Sequence, residues 1–149
     1  MKKELVEISV KGLMPVHGGV AVFLGPEEKT FLIHVDEATG KAMHYAMTGK
    51  RFPRPVTHEL VGSIFSGFGI SVERLVINHR DEDAFYARLV LRMANEVDTK
   101  LVEIDARPSD GIVLALQAHR PMYVARHVLD EAEDMTDLLT RIREGGAPE

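Results

Sequence analysis

The sequence predicts an α+β fold: one domain in which about four helices pack against a mostly antiparallel, or mixed, β-sheet. Three observations carry that expectation. Residues 5–35 hold three strand-like segments separated by glycine-containing turns, the pattern of an antiparallel meander. Residues 70–93 divide into two long alternating segments around the acidic turn Asp81-Glu82-Asp83, which reads as a hairpin. Two Arg-Pro corners, at Arg51-Phe52-Pro53-Arg54-Pro55 and at Arg107-Pro108, each run straight into an apolar helix.

In the first segment Val6, Ile8 and Val10 alternate with Glu7, Ser9 and Lys11, so this strand has one dry and one wet face. His17-Gly18-Gly19 turns the chain into the strand Val20 to Leu24, and Gly25-Pro26-Glu27-Glu28 turns it back into Thr30 to Val35. Asp36 follows as an N-cap, its carboxylate placed to accept the unpaired amides of a first helical turn. The helix after it carries Ala38, Ala42, Met43, Ala46 and Met47 on one stripe and ends at Gly49. The basic connector from Lys50 to Pro55 is stiff, because each proline pushes its predecessor away from helical geometry. A second helix starts near Pro55 or Thr57 and offers Leu60, Val61, Ile64, Phe65 and Phe68 to the core, with Gly69 able to close it. Met43, Met47, Phe65 and Phe68 are all expected in that core.

The hairpin sets Phe85, Ala87, Leu89, Leu91 and Met93 against Tyr86, Arg88 and Arg92, whose face is expected to be solvated. A polar loop from Asn95 to Thr99 leads to a strand with Val102, Ile104 and Ala106 inward and Glu103 and Asp105 outward. At the second corner Pro108 suits a first helical position, where its missing amide hydrogen costs nothing, and Asp110 suits the positive end of the helix dipole. Ile112 to Leu116 make that helix apolar nearly all round and therefore deeply buried. A short strand over 121–124 and a short helix around Val128 complete a domain placed at 1–130. Residues 131–149 read as an acidic segment, then an amphipathic helix with Met135, Leu138, Leu139 and Ile142 on one stripe, then a tail fraying from Gly145.

Composition narrows the function classes. With 149 residues, 28% charged and 45% hydrophobic, the chain has the balance of a globular protein rather than a disordered one. No apolar run approaches membrane-spanning length, and no signal-peptide apolar region follows Lys2-Lys3. A cytoplasmic location without membrane partners is the expectation. The absence of cysteine removes thiolate nucleophiles and thiolate zinc sites. A net charge of −5 argues against nonspecific coating of nucleic acid, so any nucleic-acid contact must be a confined basic site. His58-Glu59 opens like a zinc-protease motif, but Gly62 stands where the second histidine would be. His17, His34, His44, His79 and His127 read as surface or hydrogen-bonded histidines rather than metal ligands.

The two corners remain. A helix start presents free backbone amides and a positive dipole end, which suits phosphate when an arginine stands beside it. Arg51, Arg54, Arg107 and Ser109 are candidate phosphate ligands; Asp105, Asp110, Glu59 and His58 are candidate catalytic groups. Asp105 and Asp110 are also the candidate ligands of a hard divalent cation, magnesium or manganese. The competing interpretation makes each arginine a structural partner of a nearby carboxylate that fixes the turn.

The stretches Arg51 to Leu60, Phe85-Tyr86-Ala87-Arg88-Leu89 and Ile104 to Ala115 together resemble the bifunctional nuclease domain family, in order and in spacing, and the resemblance runs from about Leu5 to about Val128. It implies a compact α+β domain with a largely antiparallel sheet, homo-oligomers with the dimer favoured, and a nuclease acting on DNA and RNA, an activity associated with plant members. One departure stands out: the family usually carries a glutamate in the first helix where this chain has Thr39. The expectation is a nuclease hydrolysing phosphodiester bonds; the alternative is a non-catalytic regulatory or interaction module whose Arg-Pro corners are structural.

Overall fold

The computed structural model describes residues 4–82 and 84–145. The chain order is β1 (Leu5–Val16), β2 (Gly19–Gly25), β3 (Phe31–Val35), α1 (Glu37–Thr48), α2 (Thr57–Gly67), β4 (Ile70–Asp81), β5 (Ala84–Ala94), β6 (Thr99–Ala106), α3 (Pro108–Gln117), β7 (Met122–Ala125), α4 (Arg126–Glu131) and α5 (Thr136–Arg143). Asp83 of the acidic turn and residues 146–149 of the expected frayed tail lie outside the described residues.

Seven strands form one sheet in the order β3-β2-β1-β7-β4-β5-β6. Every neighbouring pair is antiparallel except β4 and β7, which run parallel from Leu75↔Met122 to Ile77↔Val124. The meander, the long hairpin and the mixed sheet all match the expectation. β1 is longer than its alternating start suggests, because its first half pairs with β7 and its second half with β2.

Helices α1 and α3 cover one face of the sheet. Val22 and Leu24 of β2 join Met43 of α1 and Ile112, Val113 and Leu114 of α3 in the main core. Ala21 and Phe23 point to the other face, where α5 covers them with Leu139, flanked by Met135, Leu138 and Ile142. Covering on both faces explains why the run from Val20 to Leu24 is continuously apolar rather than alternating. Helix α3 is the centre of the helical layer. Gly111 to Ala115 are all buried, and each fully buried aliphatic side chain there contributes about 1.5–3 kcal/mol. The approach to the sheet is close enough that a Cβ at Gly111 would lie 2.4 Å from Leu75 Cδ1.

Three expectations about the core are overturned. Met47 and Phe68 are exposed, Phe68 at 74%, and Leu60 and Ile64 are about half exposed. Helix α2 meets the core only through Val61 and Phe65, so a stripe that amphipathicity assigns to the interior is left without cover. In α1 the buried positions are Thr39, Gly40, Ala42 and Met43, and Ala38 faces outward. Ile104 keeps its inward parity yet stays 43% exposed, because β6 is the edge strand of the sheet.

Candidate functional site

Both corners deliver the helix starts the sequence announces. At the second, Arg107 is the N-cap in extended geometry and Pro108 occupies the first turn. The Arg107 side chain folds over that turn, donating from Nε to Asp110 Oδ2 at 2.9 Å and from Nη2 to Asp110 Oδ1 at 3.3 Å. At the first corner Val56 is the N-cap and lacks a side-chain acceptor. Glu59 compensates by accepting the Val56 amide on Oε1 at 3.0 Å, so one of its carboxylate oxygens is committed to capping its own helix.

The corners meet through His58. Its Nε2 lies 2.9 Å from Asp110 Oδ1, and its backbone carbonyl accepts a 2.7 Å hydrogen bond from Gln117 Nε2. The first turn of α2 is thereby pinned across α3 at two points. A carboxylate only accepts, so Nε2 carries a hydrogen, and in the neutral imidazole Nδ1 then holds the lone pair. Nδ1 makes no hydrogen bond within the described residues, and the His58 side chain is 16% exposed.

Charge in this cluster is coupled. Burial raises the Asp110 carboxyl, but the hydrogen bonds from Arg107 and His58 outweigh it and hold the group below its ordinary value. Arg107 is held above its ordinary value by its hydrogen bond and attraction to Asp110. Asp36 caps α1 as expected, accepting the Thr39 amide at 2.7 Å. That bond is the main reason its carboxyl is lowered, and Arg107 adds a smaller attraction. Thr39 is buried at this cap.

On the α1 and α2 side of this cluster opens a cleft of about 870 Å³, lined in part by Lys50, Arg51, His58, Glu59, His119 and Arg120. Its floor includes Val113 and Leu114 of α3. His119, with φ 55°, turns the chain out of α3 in the left-handed region, and Arg120 donates to the Glu73 carbonyl at 3.2 Å.

The structure thus brings His58, Asp110 and Arg107 together and sets Arg51, His58 and Glu59 on the cleft. Arg54 is exposed on the connector and Ser109 is half-buried in the first turn of α3, neither lining the cleft. Asp105 is engaged elsewhere: its carboxylate pairs with Arg88 at 3.1 Å, whereas Asp110 is held by Arg107 and His58. A magnesium or manganese ion shared by these two aspartates does not fit that arrangement. Both Asp110 oxygens already accept from protein nitrogens, and no group of three histidine or acidic side chains able to hold a metal occurs among the described residues. Gln117, His119 and Arg120 were not singled out by sequence reasoning; a polar, basic segment between a buried helix and Pro121 was the available signal.

Comparison with known proteins identifies the family. The family model described as the bifunctional nuclease domain matches residues 22–137. An uncharacterized protein of Mycobacterium tuberculosis, Rv1829, is 30% identical over 100 residues, covering 67% of this chain and 57% of the relative. Bifunctional nuclease 1 of Oryza sativa subsp. japonica is 32% identical over 84 residues, 56% of this chain and 25% of the relative. Bifunctional nuclease 1 of Arabidopsis thaliana is 28% identical over 111 residues, 72% and 34%. The chain therefore spans little more than half the length of the mycobacterial relative and about a third or less of the plant ones. With the matched region running from β2 into α5 and containing both corners and the His58–Asp110 contact, the chain belongs to the bifunctional nuclease domain family.

Proposed function

We propose that the protein is a nuclease that hydrolyses phosphodiester bonds of DNA or RNA in the cleft beside α2, with His58 as general base and Asp110 as the group that orients it. The 2.9 Å contact between them carries the reading. It fixes the imidazole tautomer, and a base held by a second group is the arrangement that nucleophile activation requires. In the proposed step His58 Nδ1 takes a proton from an attacking water as its oxygen bonds to phosphorus. The bond from phosphorus to the leaving nucleoside oxygen breaks, that oxygen takes up a proton from solvent water, and the imidazolium returns its proton to solvent. Lys50, Arg51 and Arg120 supply positive charge to the phosphate, with Arg51 able to grip it bidentately. No step is assigned to a metal ion, because the donor set does not fit one.

The Arg107–Asp110 pair alone would serve a non-catalytic module equally well. The open basic cleft adjoining His58 is what favours catalysis. The test is cleavage of labelled single-stranded and duplex DNA and RNA, with and without a chelator. The expected result is cleavage that survives the chelator and falls by about 10²-fold or more in His58→Gln, the usual scale for a positioned acid–base group. Intact substrate, full activity in the variant, or loss of activity on chelation would each overturn the mechanism.

We further propose that two copies associate through α2, the homodimer that the family resemblance implies. Leu60, Ile64 and Phe68 form a solvent-exposed stripe at i, i+4 and i+8, and such stripes commonly mark association surfaces.

A further inference from the structure

Resting on the nuclease reading above, we propose that Tyr45 and Phe52 form a base-stacking subsite in the same cleft, which selects unpaired nucleic acid over duplex. Tyr45 begins the last full turn of α1. The left-handed Gly49, with φ 74°, stops the helix, and the Lys50 amide returns to the Tyr45 carbonyl at 3.0 Å. This reversal lays Phe52 against Tyr45 with ring centroids 4.3 Å apart and planes tilted by 31°.

Several observations distinguish this pair from core packing. Neither ring belongs to either hydrophobic cluster, each is half-buried, and both residues line the cleft. Cations surround them: Lys41 Nζ lies 5.5 Å from the Tyr45 centroid and 5.6 Å from that of Phe52, and Lys50 Nζ lies 6.0 Å from Tyr45. The lining holds Lys50, Arg51 and Arg120 against one carboxylate, Glu59, in a chain whose net charge is −5. Local charge therefore runs opposite to the molecule as a whole and complements a phosphate backbone. Aromatic faces alternating with flexible cations are how single strands are held without sequence reading, since every base has a face to stack. In a duplex those faces are already stacked on neighbouring base pairs, so the rings can select for unpaired strands.

The decisive measurement is fluorescence anisotropy with a labelled twelve-nucleotide oligothymidylate, a blunt duplex of the same length, and an abasic strand with the same phosphates; gel electrophoresis afterwards verifies that each probe is intact. The single strand is expected to bind about tenfold or more tighter than the abasic strand or the duplex, on the scale of losing one stacked base. Tyr45→Leu and Phe52→Leu should each remove most of that preference while leaving abasic binding unchanged. Equal affinity of wild-type protein for normal and abasic strands would overturn the proposal without recourse to any variant, as would tighter binding of the duplex. Preference for the single strand without any cleavage would defeat the nuclease reading and keep this one. Cleavage without the preference would do the reverse.

Discussion

Replacing Asp110 with asparagine tests the junction of the two corners with almost no change in shape. The asparagine oxygen, set in place of Oδ1, can still accept from His58 Nε2 and Arg107 Nη2, but its amide nitrogen cannot accept from Arg107 Nε, and the negative charge that both donors face is gone. Hydrogen bonds to charged groups contribute about 1.5–3 kcal/mol when sheltered, whereas exposed ion pairs contribute about 0.2–1 kcal/mol. The Arg107 side chain is 69% exposed and that of His58 only 16%, so the Arg107 share is small and the expected total is about 1–2 kcal/mol at neutral pH. At about 2–4 °C per kcal/mol for a domain of this size, Tm should fall by about 2–8 °C. The effect has a definite pH dependence. Asp110 is held below the ordinary carboxylate value of 3.8 in the folded protein, so its contribution is complete above that value and disappears as pH falls through the lower folded-state value. Thermal unfolding followed by circular dichroism at pH 7 and across pH 2–4 should show the gap between wild type and Asp110→Asn closing on acidification. An unchanged Tm at pH 7, or a gap that persists in full at the acid end, would refute the reasoning.

Two other predictions address packing and association. Gly111→Ala should destabilise by about 1–3 kcal/mol, the usual cost of overpacking, because the added methyl meets the fully buried Leu75 at 2.4 Å; chemical denaturation measures it, and a neutral result would show that α3 can lift off β4 freely. Phe68→Asp, at a position 74% exposed, should convert dimer to monomer in light scattering and shift monomer stability by no more than about 0.5 kcal/mol; unchanged mass would remove α2 from any interface.

What could be read in advance was local. Asp36 caps α1 because its carboxylate needs only an amide three residues away, and the two corners start helices because proline and the first-turn acid act within one turn. Burial of α3 followed from its being apolar on every side. Alternation also placed Asp105 on the outward face of β6, and Arg88, its register neighbour on β5, meets it there; assigning Asp105 and Asp110 to one ion overrode that parity. The contact between His58 and Asp110 spans fifty-two positions and depends on how two crossover helices lie on the sheet, which no local pattern encodes. The bare stripe on α2 was misread for a related reason. Periodicity identifies an apolar face but does not say whether a neighbour covers it.

The four residues of β7 have a consequence for how the molecule assembles. Among the described residues they are the only strand that joins the β3-β2-β1 block to the β4-β5-β6 block within the sheet, pairing Leu5 with Ala125 on one side and Leu75 with Met122 on the other. The two blocks are separate meanders with mostly local contacts, able to form early and independently. The strand that joins them arrives from the far end of the chain and must close a loop of about 120 residues, a late and entropically costly event. Until β7 inserts, β1 and β4 each present an unpaired edge, so folding is expected to be slow and exposed to mispairing at its last step.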